Sequence, residues 1–357
     1  MTLRIVHVAS GREWRGGQNQ VRLLARALQE YPDLSQVVVT GRGSELATRL
    51  ENAGVPVRLP AWSTALDPRA LAAVVGESRP GPVILHAHDA HALVLAGLAS
   101  RLTGARLTAT RRVDFHLRRP GFWRRADRVI AISRAIRDIL IADGIEEGRI
   151  AVVHSGIDPD EVRAAPPAGI RALYRLAPNV PVAVNVAALV PHKDHATLIA
   201  AAVETSRAMP DLHWVVAGDG PLLPRLMEQV HQAGLETRVH FMGQVANPWG
   251  VIAEADVFVM SSREEGLGTS VLDAMALGIP VAATRAGGIP EMLDGGAGLL
   301  TGVGDGIALG QAVAELLRNQ PLRQATTKLA GQRLERFTAR AMADGVRSVY
   351  RSILPNG

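Results

Sequence analysis

At 357 residues the chain is long for a single core and comfortable for two. It is 47% hydrophobic and 20% charged with no cysteine, which excludes disulfides, thiolate nucleophiles and cysteine-based zinc sites. The net charge of +5 is uneven: residues 1–165 hold 23 Lys+Arg against 17 Asp+Glu, and residues 166–357 hold 16 against 17. The opening MTLRIVHVAS lacks the apolar stretch of a signal peptide, and ALVLAGLAS (92–100) is too short to span a bilayer. These features predict a soluble intracellular protein.

Apolar, β-branched runs alternate with helical patterns from the start. LRIVHV (3–8), QVVVT (36–40), PVRL (56–59), PVILHAH (82–88), RLTAT (106–110), RVIAIS (128–133) and IAVVH (150–154) read as strands. SGIDPDEVRAAPPAG (155–169) interrupts the alternation and reads as a linker. Strands resume at PVAVNVAAL (181–189), HWVVAGDG (213–220), RVHFMG (238–243), DVFVMSS (256–262), IPVAAT (279–284) and AGLL (297–300). The expectation is an α/β protein with two Rossmann-like, doubly wound parallel sheets facing an interdomain cleft. The domains are placed at 1–165 and 166–338, with a closing amphipathic helix over 339–357 that returns to the first.

The second half carries the most specific chemistry. In SSREEGLGTSVLDAMALGIPV a strand ends, a Gly-Leu-Gly turn follows, and a helix begins with Thr269 or Ser270 as its expected N-cap. Free N–H groups at such a helix start favour an anion. Glu265 would repel phosphate and suits sugar hydroxyls instead. Asp273, about one turn into the helix, suits the vicinal hydroxyls of a ribose; its alternative is an acid that stabilises the first turn. Lys193, in VPHKDH after the strand that opens this half, is placed to neutralise a departing diphosphate. It is one of two lysines, the other being Lys328. AGDGPLLPRL brings a weaker glycine-turn signal at Gly218, and FMGQV presents Gly243, Gln244 and Val245 to a nucleobase.

In order and spacing, VAALVPHKDH, AGDGPLLPRL, FMGQV, SSREEGLGTSVLDAMALGIPV and GGIPE resemble the donor half of a family 4 (group 1) retaining glycosyltransferase of the GT-B fold. RGGQNQVRLLARAL, with Gly16 and Gly17, is similar to that family's Gly-Gly loop. The resemblance implies that Glu265 contacts the transferred sugar and that the backbone of Gly266, Leu267, Gly268 and Thr269 meets sugar and phosphate. Lys193 would bind the diphosphate, and Gly243 to Val245 would lie near the base. It implies a UDP- or GDP-sugar as co-substrate, no metal and no other cofactor. Two positions depart from the family pattern. Asp273 stands where its second acid is usually Glu, and Ala188 where an arginine is common, with Arg263, Arg285 or a first-domain arginine as substitutes.

The basic excess concentrates in 101–137, with eleven arginines against Asp114 and Asp127. Within it Arg111, Arg112, Arg118, Arg119, Trp123, Arg124 and Arg125 form a candidate acceptor or membrane patch. Three readings stand beside one another: anionic lipid, an anionic or phosphorylated acceptor, and a solvated basic surface. No nucleic-acid motif is present. His116, near the place where the family often presents an acceptor-side residue, is the catalytic candidate there, with Asp114 and Arg111 as competitors; His88 and His91 could also face the cleft. The whole implies sugar transfer to a hydroxyl acceptor, a lipid-linked or envelope glycan precursor, by a cytoplasmic protein or one peripheral on the inner membrane face. The rivals are a nucleotide-sugar 2-epimerase and a non-catalytic sugar-nucleotide-binding subunit.

Overall fold

The computed structural model describes residues 2–64, 66–78, 81–117 and 120–354. The chain divides into two compact units, residues 1–156 with 337–357 and residues 157–336. Each is built on one parallel sheet.

In the first unit the strands are β1 (Leu3–Ala9), β2 (Leu34–Thr40), β3 (Val57–Arg58), β4 (Val83–Ala87), β5 (Arg106–Arg111), β6 (Arg128–Ala131) and β7 (Ile150–Val152). Their order is β3-β2-β1-β4-β5-β6-β7. In the second they are β8 (Val182–Val186), β9 (His213–Ala217), β10 (Val239–Gly243), β11 (Val257–Met260), β12 (Val281–Thr284) and β13 (Leu299–Thr301), in the order β10-β9-β8-β11-β12-β13. Every predicted strand run is a strand, and both sheets reverse direction beside their first strand, as doubly wound folds do. Helices cover both faces, so central strands such as β11 and β12 are buried throughout and read as unbroken apolar runs.

The closing helix Ala339–Ser352 belongs to the first unit. Its apolar stripe, Met342, Val346, Val349 and Tyr350, packs with Leu23, Leu24, Leu28 and Tyr31. Each such side chain contributes about 1.5–3 kcal/mol when fully buried. Polar contacts fix its register: Tyr31 Oη donates to Asp344 Oδ1 at 2.6 Å, and Arg347 pairs with Asp33 at 2.8 Å. No helix among the described residues is long and apolar enough to cross a membrane.

The boundary falls at 156/157 rather than at 165/166. Gln20 clamps Gly156, donating to its carbonyl at 2.8 Å and accepting from its N–H at 3.1 Å. The segment read as linker then folds into a short helix, Pro159–Arg163, capped by Asp158, whose Oδ1 accepts from Asp160 N and Glu161 N. Arg163 Nε donates to Ala276 O at 3.0 Å and ties this helix to the second unit.

Candidate functional site

The carboxyl end of the second sheet gathers the candidate donor residues. β8 runs into a tight turn, Pro191–Lys193, and β11 into the loop that carries Glu265. The two loops are stitched together by their backbones: Arg263 N donates to His192 O at 2.8 Å, and Ser261 Oγ donates to Lys193 O at 3.0 Å. Lys193 and Glu265 therefore meet, and their side chains form a mostly buried ion pair. Ser262 Oγ also donates to Glu265 Oε2, at 3.3 Å.

Asp194 locks the lysine turn. It sits in the left-handed region at φ +47°, a conformation that costs a non-glycine residue about 1–2 kcal/mol. Its buried carboxylate offsets that by pairing with Arg263 Nε at 2.8 Å and accepting from Thr197 Oγ1 at 2.6 Å. Beneath it, His195 Nε2 meets Asn185 Oδ1 at 3.1 Å, and burial lowers the imidazole to about 4. Sequence reasoning missed this support, whose only trace was an Asp directly after Lys193 in PHKDH. Ala188 is exposed. Of the possible substitutes for an arginine there, Arg263 is held by Asp194 and Arg285 by Asp294 at 2.8 Å.

Glycines set the loop approach. At Gly218 an added Cβ would lie 1.9 Å from Ala187 O, and at Gly287 one would lie 1.6 Å from the carbonyl oxygen of Glu265. The loops after β8, β9 and β10 are joined by Leu189 N to Asp219 O at 3.0 Å and Gly218 N to Gly243 O at 2.8 Å. Gln244, just beyond, is exposed, and Val245 is half-buried.

The helix Thr269–Ala276 begins differently from expectation. Its N-cap is Gly268, at φ +89°, and no side chain caps it. Thr269 and Ser270 are displaced inward because the turn needs a left-handed residue, which glycine supplies. Gly266, Leu267 and Gly268 are buried, while Thr269 is half-buried. Gly268 itself offers no side-chain acceptor to the first-turn N–H groups, an arrangement that suits an anion.

Asp273 lies within the same helix. Burial pushes its carboxyl up to about 7, opposed by a hydrogen bond from the Trp249 side chain and aided by Glu161. An unfolded Asp titrates at about 3.9. Between about pH 4 and pH 7 the folded chain holds a proton that the unfolded chain has released, so stability falls as pH rises through this window. The Asp273→Asn variant is expected to gain about 2 kcal/mol relative to the parent between about pH 5 and about pH 8. Denaturant unfolding of both at the two pH values checks this; parallel profiles would refute it.

In the first unit Gly16 and Gly17 open the helix Gly16–Leu28, and a Cβ at either would meet nothing within 4 Å. His116 is exposed; its Nδ1 lies 2.6 Å from Asp143 Oδ1, while Asp143 Oδ2 accepts from Leu117 N at 2.7 Å. It anchors its loop to the end of the helix Arg134–Ala142. The expected arginine–aromatic surface is corrected in part. Trp123 is 5% exposed and Arg111 6%, so both are interior, and Arg112 is half-buried against His88. Trp123 packs inward because its large apolar ring gains by leaving water, and the Arg111 guanidinium lies over it at 5.6 Å. Arg124 and Arg125 remain exposed, and Arg118 and Arg119 lie outside the described residues. His91 is exposed and His88 buried.

One histidine cluster, His7, His86 and His88, brings ring nitrogens within 4.8 Å of one another. Hydrogen bonding accounts for it. Arg112 Nη2 can only donate, so His88 Nδ1 accepts at 3.2 Å and the His88 proton is on Nε2. That proton is donated to His7 Nδ1 at 2.9 Å. His86 bridges Tyr350 Oη at 2.6 Å and Thr110 Oγ1 at 2.7 Å. Burial holds all three rings neutral, His7 at about 3. A cation would have to break this chain beside a guanidinium, so the residues fit a metal poorly.

Two doubly wound parallel sheets, the second with a Lys–Glu pair and an uncapped helix start at its carboxyl end, define the GT-B class of fold. The whole chain superposes on a glycosyltransferase from Rickettsia africae with a TM-score of 0.84 at 18% identity, covering 100% of both chains. Anabaena HepE, solved with UDP and glucose, gives 0.83 at 22% identity over 98% of this chain and 100% of that one. Residues 14–161 match Glycosyltransferase Family 4, and residues 170–333 match Glycosyl transferases group 1. The chain belongs to this glycosyltransferase family. Among relatives, a GDP-mannose-dependent phosphatidylinositol monomannoside mannosyltransferase of Mycolicibacterium smegmatis is 34% identical over 58% of this chain and 57% of its own. An N-acetyl-glucosaminyl L-malate synthase of Bacillus anthracis is 30% identical over 40% and 38% respectively. The match thus spans little more than half of these relatives' lengths at most.

Proposed function

We propose that the protein transfers a sugar from a UDP- or GDP-linked donor to a hydroxyl acceptor, with retention and without a catalytic metal. The observation that carries this is the Lys193–Glu265 pair, held where the loops after β8 and β11 meet. Lys193 would turn from Glu265 to the diphosphate as charge develops on the leaving group. Glu265, released from it, would accept hydrogen bonds from sugar hydroxyls, and the N–H groups behind Gly268 would take phosphate oxygens. Asp273 would face the ribose, and Gly243 to Val245 the base. His116, Gly16 and Gly17 would serve the acceptor side.

The acceptor is taken to be anionic or lipid-linked, an envelope glycan precursor met at the inner membrane face by a cytoplasmic protein. Support comes from relatives named for phosphatidylinositol mannoside and malate acceptors and from the exposed Arg124 and Arg125. Calorimetric titration of nucleotide diphosphates and nucleotide sugars into the parent and Glu265→Ala tests the reading. One nucleotide sugar should bind, and the variant should weaken it at least tenfold more than it weakens the bare diphosphate. Equal weakening of both would remove Glu265 from the sugar. No nucleotide binding at all would refute the function. Donor turnover without acceptor would instead favour a 2-epimerase.

A further inference from the structure

Arg112 lies immediately beyond β5, next to the carboxyl end of β4, on the edge where parallel sheets receive ligands. Its two acceptors, His88 O at 3.0 Å and His88 Nδ1 at 3.2 Å, are both neutral. Its Nε is out of solvent with no acceptor. Among the described residues no ion pair joins Arg112 to a carboxylate. Asp89, the acid that most favours its charge, is occupied by Ser10 N at 2.7 Å, Ser10 Oγ at 2.5 Å and Ala92 N at 2.8 Å.

Arg111 repeats the pattern one residue earlier. It is buried, its Nε also lacks an acceptor, and its nearest contacts are the Phe115 carbonyl and the rings of Phe115 and Trp123. Asp143 and Asp114 both favour its charge, but among the described residues neither forms an ion pair with it: Asp143 is taken by His116 and Leu117 N, and Asp114 Oδ2 is buried without a hydrogen-bond partner. Burial lowers both guanidinium groups, Arg112 to about 10. Drawing a charge partly out of water without a directly paired counter-charge is costly. Holding His88 in its tautomer needs only a neutral donor, so the positive charge itself calls for a separate reason. An anion that docks and completes the pairing supplies one.

We propose that Arg112, backed by Arg111, is an anion-binding site of the first unit that takes a carboxylate or phosphate carried by the acceptor. This rests on the glycosyltransferase reading above. Each terminal nitrogen keeps a hydrogen beyond the one given to His88, and these can be donated to an anion's oxygens, a charge-assisted bond that a neutral acceptor would not match.

The test uses the full chain with the diphosphate site filled by saturating UDP or GDP, whichever binds. Inorganic phosphate is then titrated at constant ionic strength, with chloride as reference, by calorimetry and thermal melting. Phosphate should bind the parent and raise its melting temperature above the chloride reference. Arg112→Gln should lose at least tenfold in phosphate affinity while keeping nucleotide affinity within twofold, and Arg112→Lys should retain part of the phosphate response. If Arg112→Gln does not fold, the parent and Arg112→Lys titrations decide. Phosphate acting no differently from chloride on the parent, or binding Arg112→Gln as well as the parent, overturns the proposal. If neither nucleotide binds, the donor reading fails, and the same comparison on nucleotide-free protein still decides the anion site. Flotation with phosphatidylglycerol against phosphatidylcholine vesicles separates the sources. Arg112-dependent vesicle binding indicates a lipid headgroup, and phosphate binding without it a soluble anionic acceptor.

Discussion

Replacing Lys193 with Ala should lower the turnover of donor and acceptor by about 10²–10³ in kcat, the usual cost of removing one preorganised group from a developing charge. Lys193 and Glu265 form a mostly buried pair, so the variant also leaves Glu265 with Ser262 as its remaining side-chain partner among the described residues. Part of the loss will therefore appear in donor affinity, because an unpaired carboxylate then faces the diphosphate. Two measurements separate the contributions: single-turnover rates at saturating donor, and calorimetric affinity for the bare nucleotide diphosphate. A fall in kcat that exceeds the loss of diphosphate affinity assigns Lys193 to the leaving group in the transition state. An unchanged kcat with weaker binding would reduce it to a ground-state contact. Lys193→Arg is not a conservative exchange here, since a longer planar fork replaces a compact point charge in a turn fixed by the left-handed Asp194.

The second large effect is expected at Gly287. Its φ of +48° is unfavourable for a side chain, and a Cβ would stand 1.6 Å from the carbonyl oxygen of Glu265. The obstructing atom is backbone, so no rotamer change relieves the overlap. The Gly288 N–H donates to that same carbonyl at 3.1 Å, so a shift breaks a bond as well. Gly287→Ala should destabilise the second unit by about 3 kcal/mol or more and displace Glu265. Gly16→Ala is the control, because a Cβ there meets nothing within 4 Å. Its melting should change little. Denaturant unfolding and nucleotide-sugar titration check both variants. A Gly287→Ala protein that melts with the parent and keeps its donor affinity would show that this loop is looser than its geometry implies.

Much of the architecture was legible in the residues. The strand runs stand out because both sheets are parallel and covered on both faces, so each central strand is apolar throughout. The amphipathic stripe of the closing helix was equally plain, since a 3.6-residue period survives without knowledge of its partner. The donor motifs were legible because glycine turns at strand ends are demanded locally, by left-handed backbone and close approach.

What the sequence could not decide were contacts between segments far apart in the chain. The domain boundary depended on Gln20 reaching Gly156, and the N-cap at Gly268 on how a loop returned to its helix. The arginine-rich run looked like one surface in sequence. Tertiary packing divided it, taking Arg111 and Trp123 inward and leaving Arg124 and Arg125 exposed. The charge of a side chain is a property of its residue type. Whether that charge is solvated, paired or left buried is settled by what the fold brings beside it, as at Lys193, Asp273 and Arg112.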